Sequence, residues 1–352
     1  VTFAQRVKRL AAGVCYPVIN RLHEPWSVKL KSLGSVLFGD WRSCLYWRNA
    51  CPLANALAGM PPAEVLRRLA GWAPESRQLI TGYLDAYGER LAALRALAGL
   101  EPLLLMDYRR LQEVPRFLPS PGLTRPSAGA ETRALAELRR QYGLRGSGPE
   151  TLLYHHGLKL LTEAQRESLA DTDVIDAGAY VGDSVLVFLN YAPRRVYAFE
   201  PSPRNARFFR QTMRRNHVPE NRFELVQQGL AATPGEASFS DEGGAGTFLG
   251  AGGPCRVTLT TIDAFARPHR LKVGLIKADV EGMGLELLKG ALEVIRRDRP
   301  VLSLAMYHNS DEFFGQYELL AGLDLGYTLR VVDLTPDTPG EITLLACPSA
   351  TP

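Results

Sequence analysis

Carboxylates stand at the ends of several short apolar runs in this chain, and a histidine follows another. Asp176 closes "DVID", and Glu200 closes "RVYAFE". Asp279 closes "VGLIKAD" with Glu281 just beyond it, and His308 follows "RPVLSLAMY". A carboxylate so placed can hold a cation, accept hydrogen bonds from hydroxyl groups or take a proton. An imidazole, with an ordinary pKa of about 6.5, does the last of these near neutral pH. The residues after Asp176 read "AGAYVGDS", where Gly178 and Gly182 permit close approach to the backbone. A glycine turn between a strand and a helix aims backbone N–H groups at a ligand.

The pattern D-x-G-x-x-x-G is not the G-x-G-x-x-G of a dinucleotide site, and an acid beside a pyrophosphate would repel it. The same acid suits a ligand that carries an ammonium and a sulfonium, a description that fits S-adenosylmethionine. Glu200, roughly two dozen positions after Asp176, is placed to accept hydrogen bonds from ribose hydroxyls, a feature shared with NAD sites. Adenine is expected near Gln228, Gly229 and Leu230. The cofactor set is therefore Asp176, Ala177, Gly178, Ala179, Tyr180, Gly182, Asp183 and Ser184 from the turn, with Glu200, Pro201, Ser202, Gln228, Gly229, Leu230 and Asp279.

The reacting end of such a ligand would face the top of the strand that ends at Asp279. His308 is the first choice for a general base there, with Asp279 or Glu281 second, as base or as orienter of an acceptor hydroxyl. Lys277 lies two places before Asp279 on the same face of its strand. It is a candidate for the acceptor side, or for an ion pair inside the sheet. His155 and His156 read as part of an extended piece, where neighbours point to opposite sides, so at most one of them faces the acceptor. Asp279, Glu281 and His308 also form an oxygen–nitrogen set of the kind that holds divalent ions, but the sequence gives no metal spacing, and none is expected.

The elements that must position these groups change character along the chain. Residues 1–115 read as helical, with "SRQLITGYLDAYGERLAALRALAG" capped by Ser76 and "PPAEVLRRLAGW" as a shorter helix. Trp26, Trp41, Trp47 and Trp72 read as core anchors of this region. Residues 116–149 hold a Pro/Gly/Ser-rich crossing and one helix near Thr132–Tyr142. Residues 150–352 alternate strands with helices, which predicts an α/β domain with a mostly parallel, doubly wound sheet and a ligand beyond the strands' carboxyl ends. Thr162 and Gln165 predict a capping box. Ser202 with Pro203 predicts a helix start running to about Asn216. Leu285–Arg297 reads as one helix, Ser310 as the cap of the next, and "YTLRVVDL" with "EITLLAC" as a hairpin. "DEGGAGTFLGAGGP" reads as a glycine-rich excursion beside the site.

"VIDAGAYVGDS", "YAFEPSP", "LIKADVEGMGLELLKGA" and "RPVLSLAMYHNSDEFF", in this order and spacing, resemble the FkbM family of S-adenosylmethionine-dependent methyltransferases. The upstream "YHHGLKLL" resembles what often precedes that domain. The resemblance covers roughly Glu150 to Cys347, and the block from Lys277 to Ala291 is its specific part. It implies the Rossmann-like class I methyltransferase fold, a seven-stranded sheet with one antiparallel strand. It also implies O-methylation of a hydroxyl in a sugar, a glycan or a secondary metabolite. Met283-Gly284 departs from the Ala-Glu frequent in the family and leaves Asp279 and Glu281 as the acids of that turn.

Composition narrows the alternatives. The chain has 352 residues, 46% of them apolar and 22% charged, which is globular and suggests about two domains. Its net charge of +4 is weak for this length, and no long basic run with interleaved aromatics calls for nucleic acid. No apolar run approaches the ~18 residues of a membrane span. Cys15, Cys44, Cys51, Cys255 and Cys347 form no C-x-x-C pair, which favours free thiols and a cytoplasmic setting. An NAD-dependent oxidoreductase and a non-catalytic scaffold for glycan assembly stay open as rivals.

Overall fold

The computed structural model describes residues 60–81, 128–144, 146–239, 255–334 and 341–349. The chain divides into two compact units, and nearly all described residues belong to the one made of Pro62–Leu79 and Arg116–Pro352. The expectations for Trp26, Trp41 and Trp47, for the helix beyond residue 81, for the crossing before residue 128 and for "DEGGAGTFLGAGGP" lie outside the described residues.

The strands are β1 (Asp173–Ala177), β2 (Arg195–Phe199), β3 (Phe223–Val226), β4 (Gly229–Leu230), β5 (Gly235–Phe239), β6 (Cys255–Thr260), β7 (Val273–Ala278), β8 (Val301–Ala305), β9 (Tyr327–Asp333) and β10 (Ile342–Pro348). Seven of them form one sheet in the order β3-β2-β1-β7-β8-β10-β9. The pairs from β3 to β8 are parallel, and β10 runs antiparallel to both its neighbours. This is the class I methyltransferase arrangement. β1 and β8 are buried along their whole length, as strands covered on both faces are. Val174, Val185, Phe188, Val196, Phe209 and Met213 share one buried core, to which Leu158, Leu160 and Leu161 add the segment before β1.

The chain order places the carboxyl ends of β1, β2 and β7 side by side. Asp176 pairs in register with Ala198 on one side and Lys277 on the other. β4, β6 and β5 form a separate three-stranded sheet. A two-residue strand such as β4 has no period for a sequence reading to find.

Local signals behave as their chemistry requires. Thr162 and Gln165 close a capping box over Glu163–Glu167. The Ser202 hydroxyl accepts from the Asn205 N–H at the start of helix Pro203–Arg215. Four expectations are corrected. Ser76 caps nothing: the chain is already helical at residue 74, and the Ser76 hydroxyl accepts from the Val331 N–H at 2.9 Å. Asn309, not Ser310, caps helix Ser310–Gly322, accepting from the Glu312 N–H. The helix read over Leu285–Arg297 is two, Gly284–Lys289 and Leu292–Asp298. They are broken at Gly290, which lies against the Ala231 carbonyl. His155 and His156 are not extended; they enter a 3₁₀ segment, His155–Leu160, with φ of 49° and 52°.

Trp72 is buried, but as an anchor of the unit that holds the large sheet and not of a separate 1–115 region: it stacks on Tyr317 with ring centroids 4.3 Å apart. The Tyr317 hydroxyl accepts from the Ala73 N–H at 2.9 Å. The segment Pro62–Leu79 thus packs on helix Ser310–Gly322 in the same unit as the large sheet. Among the described residues no helix is long and apolar enough to cross a membrane.

Candidate functional site

A cavity opens over the carboxyl ends of β1, β2 and β7, and most of the residues singled out from sequence meet there. Ala177, Gly178, Tyr180, Asp183 and Ser184 line it from the turn after β1, and Glu200 and Pro201 from the end of β2. Gln228, Gly229 and Leu230 line it from β4 and the residues before it; Lys277, Asp279 and Glu281 do so from β7 and the turn beyond. Glycine is required at position 178. Its φ is +76°, and a Cβ there would lie 1.8 Å from the Asp279 carbonyl oxygen.

Glu200 is 4% exposed, and its carboxylate is held by the backbone. Oε2 accepts from the Tyr180 N–H and Oε1 from the Ser202 N–H, each at 2.9 Å. Asn205 Nδ2 donates to Oε1 at 3.3 Å. A carboxylate offers about four acceptor positions, so Oε2 keeps one for a ligand hydroxyl. Pro201 and Phe199 close an apolar slot beside Gln228, Gly229 and Leu230.

Asp176 does not face this cavity. It is 0% exposed; its Oδ2 accepts from the Ser184 hydroxyl, and its Oδ1 lies 3.3 Å from Lys277 Nζ. Lys277 also donates to the Gly178 carbonyl at 2.7 Å and the Ala177 carbonyl at 3.2 Å. Burial works against the ammonium, but the charges of Asp176, Asp279 and Asp183 outweigh it and hold the Lys277 pKa above its ordinary value. The register of β1 on β7 sets Lys277 beside Asp176, so the carboxylate is engaged by Ser184 and Lys277 and is not presented to the cavity.

Other expected residues also stand back from the wall. Ala179 is 0% exposed, Gly182 packs against Phe209 and Met213, and Ser202 is spent as a helix cap. Of the two histidines, His156 lines the cavity, while His155 Nδ1 shares a hydrogen bond with the Tyr191 hydroxyl at 2.9 Å. His308 is the sharpest departure. It lies behind the wall with a side chain 6% exposed, Nε2 being 3.4 Å from Asp279 Oδ1 and 3.6 Å from Glu281 Oε2. Its Nδ1 is bound to Glu312 Oε2 at 2.8 Å.

Glu150, Thr151, Asn205, Tyr307 and Glu341 line the cavity and were not found from sequence. Glu150 and Glu341 come from distant segments with no motif. Tyr307 adjoins His308 in the sequence and donates its hydroxyl to Asp279 Oδ1 at 3.1 Å. Together these residues make an acidic wall. Burial, reinforced by the charge of Asp183, pushes Glu150 up to about 7. Burial does the same to Glu200, and burial with the charge of Asp279 does so to Glu281. Glu341 is raised by burial and by Glu150. Lys277, the one ammonium on the wall among the described residues, is committed to protein oxygens. A cationic ligand would relieve this wall, and a pyrophosphate would be repelled by it.

The raised carboxyl groups fix a pH dependence. Folded-state pKa values of about 7 for Glu150, Glu200 and Glu281 lie above the ordinary 4.5. Their contribution to stability is full below about 4.5 and is lost as pH rises through about 7. Burial holds His155 down at about 4, so acid costs stability as pH falls below about 6.5. The ligand-free protein is expected to melt at a higher temperature as pH drops from about 8 to about 5, the three carboxyl groups outweighing His155, which takes back part of the gain below about 6.5. Thermal melts across this range check it; a melting temperature that falls as pH drops from about 8 to about 6.5 contradicts it.

Residues 176–333 match the family model described as Methyltransferase FkbM domain. No curated protein matches the chain. Among solved structures, the chain is similar to a methyltransferase FkbM from Methylobacillus flagellatus KT, 18% identical over 77% of this chain and 70% of that one, with a TM-score of 0.44. It is similar to an O-methyltransferase from Bacillus cereus in complex with SAH, at 14% identity over 65% and 94%, TM-score 0.38. It is also similar to an rRNA methylase from Streptococcus thermophilus, at 16% identity over 57% and 96%, TM-score 0.37.

Proposed function

From the premise that the chain carries a methyltransferase FkbM domain at residues 176–333, we propose that it methylates a hydroxyl oxygen of a sugar, a glycan or a secondary metabolite. S-adenosylmethionine is the cofactor and supplies a methyl group bonded to a cationic sulfur. The observation that carries the reading is the acidic cavity itself: among the described residues, Glu150, Asp183, Glu200, Asp279, Glu281 and Glu341 line it against one committed lysine. The residues fit the cofactor. Glu200 would accept from a ribose hydroxyl, Leu230 and Pro201 would flank the adenine, and Asp183 and Glu150 would hold the ammonium.

An alcohol is a poor nucleophile until its proton is accepted. Glu281 lines the cavity with a side chain 20% exposed, and its pKa of about 7 suits a base working near neutral pH. As the acceptor oxygen gains the methyl group, its proton passes to Glu281. Asp279, oriented by the Tyr307 hydroxyl, would hold the acceptor. His308, behind both carboxylates, does not reach the acceptor and so passes the base role to Glu281.

Full-length protein incubated with methyl-tritiated S-adenosylmethionine and a pool of mono- and oligosaccharides tests this. Label is expected in an alkali-stable ether. Label only in alkali-labile esters or in amines would overturn the hydroxyl assignment. Glu281→Gln is expected to lower transfer by about 10²–10⁴-fold and to leave S-adenosylhomocysteine binding within a few-fold of wild type. Unchanged transfer would remove Glu281 from the mechanism.

A further inference from the structure

Glu312 is given no role in the sequence reading, yet it is 1% exposed and both of its oxygens are in use. Oε2 meets His308 Nδ1 at 2.8 Å. Oε1 accepts from the Gly284 N–H, just past the turn after β7, at 3.0 Å. That turn is shaped to admit it: a Cβ on Gly284 would lie 2.4 Å from Glu312 Oε1. Asn309 ties the same two segments together, its Oδ1 accepting from the Glu312 N–H at 2.7 Å and its Nδ2 donating to the Gly282 carbonyl at 3.3 Å.

The other edge of the imidazole faces Asp279 and Glu281 at 3.4 and 3.6 Å, and Nε2 has no hydrogen-bond partner among the described residues. The titratable groups facing His308 are Glu312 from the helix that follows it, Asp279 and Glu281 from the turn after β7, and the Tyr307 ring at 4.2 Å. Two carboxylates that converge on one point repel, and one of them takes a proton unless a cation lies near both.

We propose that Glu312 is a positioning residue that acts through His308: it keeps the imidazole charged, and the charged imidazole holds Asp279 and Glu281 together on the cavity wall and keeps Glu281 able to accept a proton. The proposal rests on the reading of Glu281 as the proton acceptor. Burial opposes the charge on His308, but its bond to Glu312 and the charges of Asp279 and Glu281 outweigh burial and raise its pKa. His308 in turn pulls Glu281 down against burial and Asp279.

The test is an NMR titration of the full chain with labelled histidine and glutamate, without cofactor or acceptor. The chain has only six histidines, and His308→Gln assigns the resonance. In the wild type His308 is expected to titrate above its ordinary value of about 6.5. Glu312→Gln keeps the bulk and removes the charge. It is expected to lower the His308 midpoint by about one unit or more and to raise that of Glu281 by about one unit, while Glu312→Asp keeps both near wild type. A His308 that is already neutral at pH 7 in the wild type, or two titrations unmoved by Glu312→Gln, would overturn the proposal. If Glu312→Gln does not fold, His308→Gln decides: a raised Glu281 midpoint supports the proposal, and an unmoved one overturns it. Failure of S-adenosylhomocysteine to bind would sink the reading of the cavity and leave these titrations standing, so the two failures are distinguishable.

Discussion

Lys277→Met is expected to lower the unfolding free energy by about 3–5 kcal/mol. Lys277 and Asp176 are 3% and 0% exposed, so the variant leaves a carboxylate buried with the Ser184 hydroxyl alone. Breaking a buried pair from one side costs more than the pair contributes, because the remaining charge has no solvent. The variant also removes the donor that Lys277 gives the Gly178 carbonyl and one of the two donors to the Ala177 carbonyl, so the turn that lines the cavity loosens with it. Urea unfolding of wild type and variant measures the loss. Adding Asp176→Asn to the variant is expected to recover part of it, since a neutral amide is cheaper to bury than a carboxylate. A loss below about 1 kcal/mol, the range of a solvent-exposed pair, would contradict the buried pair.

Glu200→Ala is expected to weaken S-adenosylhomocysteine binding by about 10–100-fold, the worth of a hydrogen bond to a charged group. Stability should change far less than binding. Burial already penalises the Glu200 carboxylate in the free protein, and the two backbone N–H groups it leaves lie beside the cavity. Calorimetric titration gives the affinity and a thermal melt the stability. Equal affinity in variant and wild type would remove the ribose from Glu200.

The parts of this site that were legible in the sequence are those whose chemistry is local. A glycine forced to φ +76°, a carboxylate at a strand end, a hydroxyl capping a helix and a turn of acids after an apolar run each show in a few neighbouring residues. The mostly parallel sheet followed from the alternation of elements. What was not legible depends on register and on distant segments. Asp176 was read toward the ligand, yet pairing of β1 with β7 sets Lys277 beside it, and it is not presented to the cavity. His308 was read as the base because it follows a strand. Helix Ser310–Gly322 instead brings Glu312 to its Nδ1, and the turn after β7 lies between it and the cavity. Glu150 and Glu341 enter the wall from opposite ends of the domain, with no spacing that links them. Of His155 and His156 only the second lines the cavity, and the reason lies in a 3₁₀ segment with left-handed backbone at both residues, which the extended reading did not anticipate.

The most direct measurement is calorimetric titration of the full chain with S-adenosylhomocysteine and, separately, with NAD. An acidic wall with Glu200 at its ribose end predicts micromolar binding of the first ligand and none of the second. Binding of NAD alone would contradict the reading of the turn after β1 and of the whole cavity.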